Sequence, residues 1–308
     1  MIPVAHALLR AASRLVSTPG SVSVAAAATL IAVLALSACS HRTVIVVGSK
    51  NFTEQRILGE IAAQQIERKL HIPVERRLGL GGTLLAHEAL LHGGIDLYPE
   101  YTGTAASAIL KQKVSRDPMT AYREVRDAAR KRFHVVWLPP LGFNDTFAMV
   151  VRSADARRLA APTLSAAASR SWRLGVGYEF LTRPDGLRRL DAVYHLKWKG
   201  SPKTMDLGLL YPALREHKID MGAGNSTDGF LADPAFMALK DDKHAFPPYS
   251  ACYVVRAQTI REHPKVKQVL AMLSGRMNAA AMRGLNRRVD IAHQPVAEVA
   301  RQFLAAQP

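Results

Sequence analysis

Two strings bring chemistry to a strand-to-helix turn: Gly48-Ser49-Lys50-Asn51-Phe52-Thr53-Glu54-Gln55 and Asp96-Leu97-Tyr98-Pro99-Glu100-Tyr101-Thr102-Gly103-Thr104. Such turns gather ligands in α/β sheets, because unpaired helix N-terminal N–H groups and the helix dipole converge there. Lys50 can face an anionic group beside those donors, and Thr104 can donate a hydroxyl hydrogen bond or cap its own helix. Arg183, before Pro184-Asp185-Gly186, can grip a carboxylate with its guanidinium fork or form a structural pair with Asp185. Tyr101, Phe147 and Tyr249 are single aromatics, not members of a helical stripe. Each can pack in a core or offer its face to an alkylated ammonium, a contact of about 0.5–2 kcal/mol.

Bond-breaking constellations fail on spacing. His87-Glu88-Ala89-Leu90-Leu91-His92 misses the i, i+4 zinc-protease pattern by one residue. Gly79-Leu80-Gly81-Gly82-Thr83 lacks the Lys-Ser/Thr of a phosphate loop and reads as a tight turn. Ser226 lies in Gly224-Asn225-Ser226-Thr227-Asp228, which is not a nucleophile elbow. No histidine spacing justifies a metal site. The chemistry on offer is recognition, with no enzyme activity, metal or cofactor expected.

The two opening strings, together with Pro140-Leu141-Gly142-Phe143-Asn144-Asp145-Thr146-Phe147-Ala148, Glu179-Phe180-Leu181-Thr182-Arg183-Pro184-Asp185-Gly186, Ser226-Thr227-Asp228-Gly229 and Asp241-Asp242-Lys243-His244-Ala245-Phe246-Pro247-Pro248-Tyr249, resemble the substrate-binding proteins of ABC transporters for glycine betaine, choline, carnitine and related osmoprotectants. The resemblance covers nearly all of the chain after Thr43. It implies a two-lobed α/β periplasmic-binding-protein fold (type II-like) with two interlobe crossover segments and a solute in the cleft. Lys50, Thr104, Asp145 and Arg183 would hold the anionic end, with Asp145 able to accept hydrogen bonds or hold Lys50. Tyr101, Phe147 and Tyr249 would enclose the cationic or apolar end. The implied partners are an ABC permease and ATPase. Two residues depart from the family pattern: Phe147 stands where Tyr is common, and Asn225 where a fourth aromatic is common. An amide at 225 offers a donor and an acceptor in place of a π face. The alternatives are a binding protein for another small polar or amino-acid-like solute, a cleft enzyme on the same scaffold, and a receptor-like sensor domain.

The elements that must position these residues follow from apolar runs and their stops. Val44–Val47, Pro73–Leu78, Ile95–Tyr98 and Val135–Leu138 read as strands. Ile57, Leu58, Ile61, Ile66 and Leu70 keep a helical period after an Asn51…Glu54 spacing that resembles a capping box. Leu84–Leu91 reads as a helix stopped by Gly93-Gly94, and Asp117-Pro118 opens another. A second β/α run carries strand Arg173–Gly177, helices Leu187–Tyr194 and Leu207–His217, and strand Ile219–Ala223. Asn144–Arg152 and Pro248–Arg256 read as the crossovers, giving residues 43–145 and 253–308 to one lobe and 146–252 to the other.

Composition sets the outer limits. Arg10 and Arg14 precede the apolar Val22–Leu36 stretch, which runs into Leu36-Ser37-Ala38-Cys39. This reads as a lipoprotein signal peptide over residues 1–38 with Cys39 lipidated, so an exported protein anchored to a membrane is expected. Cys252, the other cysteine, lies in an apolar run and reads as a buried small residue. The formal charge is +16. Lys and Arg are dispersed without a nucleic-acid motif, so no nucleic acid is expected, and attraction to anionic headgroups is the milder explanation. A monomer of two ordinary-sized lobes fits the length.

Overall fold

A computed structural model describes residues 44–113 and 115–307. The expected signal peptide and Cys39 lie outside the described residues. Strands β1 (Ile45–Gly48), β2 (Val74–Arg77), β3 (Leu97–Tyr101) and β4 (Val135–Trp137) come early in the chain. They are followed by β5 (Phe147–Arg152), β6 (Ser171–Trp172), β7 (Leu174–Val176), β8 (Lys197–Trp198), β9 (Lys203–Thr204), β10 (Met221–Asn225) and β11 (Phe236–Ala238). A last strand, β12 (Ala251–Arg256), returns to the early ones. The first sheet has the order β2-β1-β3-β12-β4 and the second β11-β5-β10-β7-β9, with β6 and β8 pairing apart. β1 runs parallel to both neighbours and is buried along its whole length, as an apolar run covered on both faces must be. β12 lies antiparallel between β3 and β4, and β10 pairs antiparallel with β5 but parallel with β7. Two mixed sheets with helices on them are the expected two-lobed architecture.

The chain passes between the sheets twice, and the passages lie side by side. Asn144 and Ser250 form an isolated antiparallel bridge, and the Asp145 N–H donates to the Tyr249 carbonyl at 3.1 Å. These crossings are shorter than the sequence segments suggested, because Phe147 already belongs to the second sheet and Ala251 to the first.

Helix α1 (Thr53–Leu70) buries Ile57, Leu58, Ile61 and Ile66. The capping-box reading is corrected here. The N-cap is Phe52, no side chain caps the helix, and Glu54 is buried on the same face as Ile57, Leu58 and Ile61. α2 (Thr83–Leu91) follows Gly82, and α3 (Pro118–Phe133) starts as its sequence demands, with Asp117 accepting from the Thr120 N–H. In the second sheet's neighbourhood lie α4 (Tyr178–Thr182), α5 (Leu187–Tyr194) and α6 (Leu210–Arg215). The expected Leu207–His217 helix is therefore shorter, a 3₁₀ turn over Leu207–Leu209 preceding α6. α7 (Pro264–Ala271), α8 (Ala279–Asp290) and α9 (Val296–Ala305) pack back on α1.

Several histidines have a backbone task. His71, His134 and His195 follow α1, α3 and α5 with φ between 51° and 56° and donate their N–H groups back into the last turn. Histidine tolerates this left-handed conformation better than most non-glycine residues. Cys252 is fully buried in β12, and burial pushes its thiol pKa up.

Candidate functional site

A cavity of about 980 Å³ opens between the two sheets' loops, and all eight residues singled out in the sequence line it. Lys50 follows β1, Tyr101 ends β3, and Thr104 sits one helical turn further on. Asp145 and Tyr249 come from the paired crossings. Phe147 begins β5 directly opposite Asn225, the last residue of β10, and Arg183 follows α4. Gly103 allows the approach: a Cβ there would stand 2.7 Å from the Tyr249 ring and 2.8 Å from the Pro248 carbonyl. Thr104 stands at the N-cap position of the stretch that follows, but its side chain makes no capping hydrogen bond. It joins the α-turn Thr102–Thr104 to a π-helical stretch over Ala105–Leu110, an irregularity frequent near functional sites.

Both clamp cations already have partners. Lys50 Nζ lies 2.7 Å from Glu100 Oε1, with both side chains almost wholly buried. Of the two roles the resemblance allows Asp145, it takes that of acceptor, from Thr227, and not that of partner to Lys50. The Arg183 fork is filled by Asp185, with Nε to Oδ1 at 3.0 Å and Nη2 to Oδ2 at 2.6 Å, and the Tyr249 hydroxyl donates to the same Oδ2 at 2.6 Å. The structural-pair alternative for Arg183 is thus present. Burial would raise the Asp185 pKa, but the hydrogen bonds and charge of Arg183 outweigh it and hold the carboxyl below its ordinary value.

The aromatic faces are likewise engaged by these internal cations. Lys50 Nζ stands 4.9 Å from the Tyr101 ring centroid, and the Arg183 guanidinium 4.9 Å from that of Phe147 and 5.7 Å from that of Tyr249. Phe147 also meets Phe180, Phe246 and Tyr249 edge-on, so the aromatics form one packed wall instead of an open box.

Carboxylates dominate the rest, and of these the sequence reading names only Asp145 as a site residue. Glu54 Oε1 accepts from the Tyr101 hydroxyl at 2.6 Å, and Oε2 accepts from Asn286 Nδ2 at 3.1 Å. Thr227 Oγ1 lies 2.5 Å from Glu54 Oε2 and 2.7 Å from Asp145 Oδ1. Asp228 Oδ2 accepts from the Tyr211 hydroxyl and the Asn225 N–H. Burial pushes Glu54 up to about 7 against the hydrogen bonds from Thr227, Tyr101 and Asn286. Burial also pushes Asp228 up to about 7, and burial plus the charge of Glu54 raises Asp145. Six carboxylates line the cavity, those of Glu54, Asp145, Glu179, Asp206, Asp228 and Asp290, against three cations, Lys50, Arg56 and Arg183. The whole chain has the opposite balance, with 41 Lys and Arg against 25 Asp and Glu. A signal for Glu54 existed in the sequence, since an acid at 54 shares the apolar stripe of 57, 58 and 61.

Glu179 clasps the cavity's edge. Its carboxylate accepts from the Thr83 N–H and hydroxyl at the start of α2, joining the α4 side of the cleft to the α2 side. Burial raises its pKa, but the nearby Lys50 charge and the Thr83 hydrogen bonds outweigh that and lower it.

This chain is 34% identical over 263 residues to an ergothioneine transport permease/ergothioneine binding protein of Helicobacter pylori strain G27, a match covering 84% of this chain and 47% of that protein. The chain thus spans about half the length of that relative. It is 30% identical over 282 residues to a carnitine transport binding protein of Listeria monocytogenes serotype 1/2a strain 10403S, covering 88% of this chain and 91% of that one. A crystal structure of a glycine betaine/carnitine/choline ABC transporter protein superposes with a TM-score of 0.71 at 30% identity, over 85% of this chain and 97% of that one. Residues 43–306 match the family model described as the substrate-binding domain of ABC-type glycine betaine transport systems, and the chain belongs to that family.

Proposed function

We propose that this protein captures a small organic cation or zwitterion of the quaternary-ammonium class in its cleft and delivers it to an ABC permease and ATPase. The observation that carries this reading is the acid-lined, aromatic-walled cleft inside a strongly basic chain. A cation entering there gains from carboxylates that are poorly screened by solvent. Its alkyl groups would pack on the Phe147–Tyr249 wall. An anionic end would meet Thr104, and would engage Lys50 or Arg183 only as Glu100 or Asp185 lets go. The relatives' names speak of glycine betaine, carnitine and ergothioneine, solutes of this kind.

The lobes would be residues 43–145 with 253–308 and residues 146–252, hinged at the paired crossings. Ligand contacts from both sides would favour closure. The protein would act outside the cytoplasm as a monomer that performs no catalysis, anchored through lipid on Cys39. Intact mass of the membrane-extracted chain checks the anchor, an unmodified Cys39 there opposing it.

The test of function is calorimetry and thermal shift with glycine betaine, choline, carnitine and ergothioneine, with ordinary amino acids as controls. At a hundredfold excess over Kd the bound state gains about 2.7 kcal/mol. At about 2–4 °C per kcal/mol, the melting temperature rises by about 5–10 °C. Saturable binding of an ordinary amino acid with none of the four probes would overturn the reading.

A further inference from the structure

One hydroxyl stands between two carboxylates in the cleft. Thr227 Oγ1 is within 2.7 Å of both Glu54 Oε2 and Asp145 Oδ1, and a hydroxyl has one hydrogen to donate. If both acids were ionised, one of these contacts would set two lone-pair oxygens against each other with no proton between them. The arrangement is complete only when one carboxyl keeps its proton and donates it to Thr227, which in turn donates to the other. The remaining donors cannot stand in. Tyr101 serves Glu54 Oε1, Asn286 serves Oε2 at 3.1 Å, and the Thr227 N–H serves Asp145.

We propose that the cleft takes up its cation in exchange for the proton shared by Glu54, Thr227 and Asp145, so that capture releases that proton to solvent and weakens in acid. This rests on the cation-binding reading above. The O–H bond of one carboxylic acid breaks, its proton leaves to water, and the resulting carboxylate faces the ligand's positive charge. A ligand cation beside these groups favours their ionised forms, and by linkage their ionisation favours the ligand equally.

The surroundings support retention of the proton. Facing Glu54 from the other elements are Tyr101 of β3, Asp145 of the crossing, Asp228 beside Thr227, and Asn286 of α8. Asp290, also of α8, accepts from Thr53 Oγ1 and has His293 nearby. Lys50, the cation whose charge reaches Asp145, is paired with Glu100. Burial raises Glu54 to about 7, which places the exchange at and below neutral pH. Asp228 is raised similarly, but its Oδ2 receives two true donors, so its geometry calls for no shared proton.

The experiment is calorimetry of the detergent-extracted full chain with glycine betaine, choline, carnitine and ergothioneine as probes, from pH 5 to pH 8 and in buffers of differing ionisation enthalpy. Wild type should release about one proton per bound probe at pH 6, with Kd rising about tenfold per pH unit below 7 and level above it. Glu54→Gln should make the heat independent of buffer and hold Kd, at every pH, near the wild-type value at pH 5. Thr227→Ser keeps the hydroxyl and should keep the exchange. A probe that binds wild type with buffer-independent heat and a level Kd overturns the exchange alone. Undiminished proton release from Glu54→Gln overturns its assignment to this trio. A cleft that binds none of the four overturns the functional reading and the exchange with it.

Discussion

Arg183→Met separates a ligand clamp from a structural ion pair. The substitution keeps the side chain's length and apolar stem but leaves Asp185, 8% exposed, without its guanidinium partner. Breaking a buried pair by removing one member costs about 3–5 kcal/mol, because the other charge stays buried. The Tyr249 hydroxyl still donates to Asp185 Oδ2 at 2.6 Å, so the expected loss is at the low end, about 3 kcal/mol. At about 2–4 °C per kcal/mol the melting temperature should fall by about 6–12 °C. Arg183→Met/Asp185→Leu removes both charges and should return to within about 1–2 kcal/mol of wild type, since an apolar pair of similar volume often replaces a buried ion pair without loss. Urea denaturation of the four proteins of this double-mutant cycle reads the coupling. The sign with pH follows from Asp185, whose carboxyl is held below its ordinary value. The pair therefore contributes fully above about pH 4 and is lost as pH falls through the folded value, so Arg183→Met and wild type should converge in strong acid. Binding completes the assay. A structural pair predicts that Arg183→Met changes glycine betaine and choline affinity alike. Unchanged melting, together with a selective loss for the carboxylate-bearing ligand, would refute this reasoning and restore Arg183 as the clamp.

Glu179→Ala removes both hydrogen bonds that tie α4 to the start of α2. Bonds to a charged acceptor contribute about 1.5–3 kcal/mol, so the ligand-free chain should open and bind at least tenfold more weakly. A larger radius of gyration by X-ray scattering is expected, and an unchanged radius with unchanged Kd would count against the clasp. Asn225→Tyr, opposite Phe147 in the sheet register, should shift preference toward glycine betaine and choline by adding an aromatic face worth about 0.5–2 kcal/mol. Calorimetry on both proteins with one ligand panel decides it, no gain in affinity making Asn225 a bystander.

The frame was legible where local physics is strong. Ile45–Gly48 is a continuous apolar run ended by glycine, Asp117-Pro118 both caps and starts a helix, and a helix near Leu187–Tyr194 follows from its apolar spacing. The eight cleft residues came from the resemblance, and the cavity does gather them. What they touch was not legible. Lys50 meets Glu100 fifty residues away, and the choice between Asp185 and a ligand for Arg183 cannot be read from their spacing of two. Glu54 was lost to a plausible local rule, because an Asn and a Glu three apart look like a capping box until the fold turns the acid inward. Its partners come from three separate stretches, at 101, 227 and 286, which no local pattern connects.

The opposed charges of surface and cleft need not conflict. At physiological ionic strength the screening length is about 8 Å, so the dispersed surface Lys and Arg act mainly on what touches them, such as an anionic membrane. The carboxylates of Glu54 and Asp145 lie beneath the surface, where screening is weaker and a charge counts for more. A cation therefore feels the positive exterior only faintly on approach and the negative interior strongly once inside. Added salt should then alter the adsorption of an unlipidated Cys39→Ser chain to anionic vesicles far more than the affinity for solute. On the proposed exchange, the buried acids and their shared hydroxyl would decide the ligand, not the charges that dominate the composition.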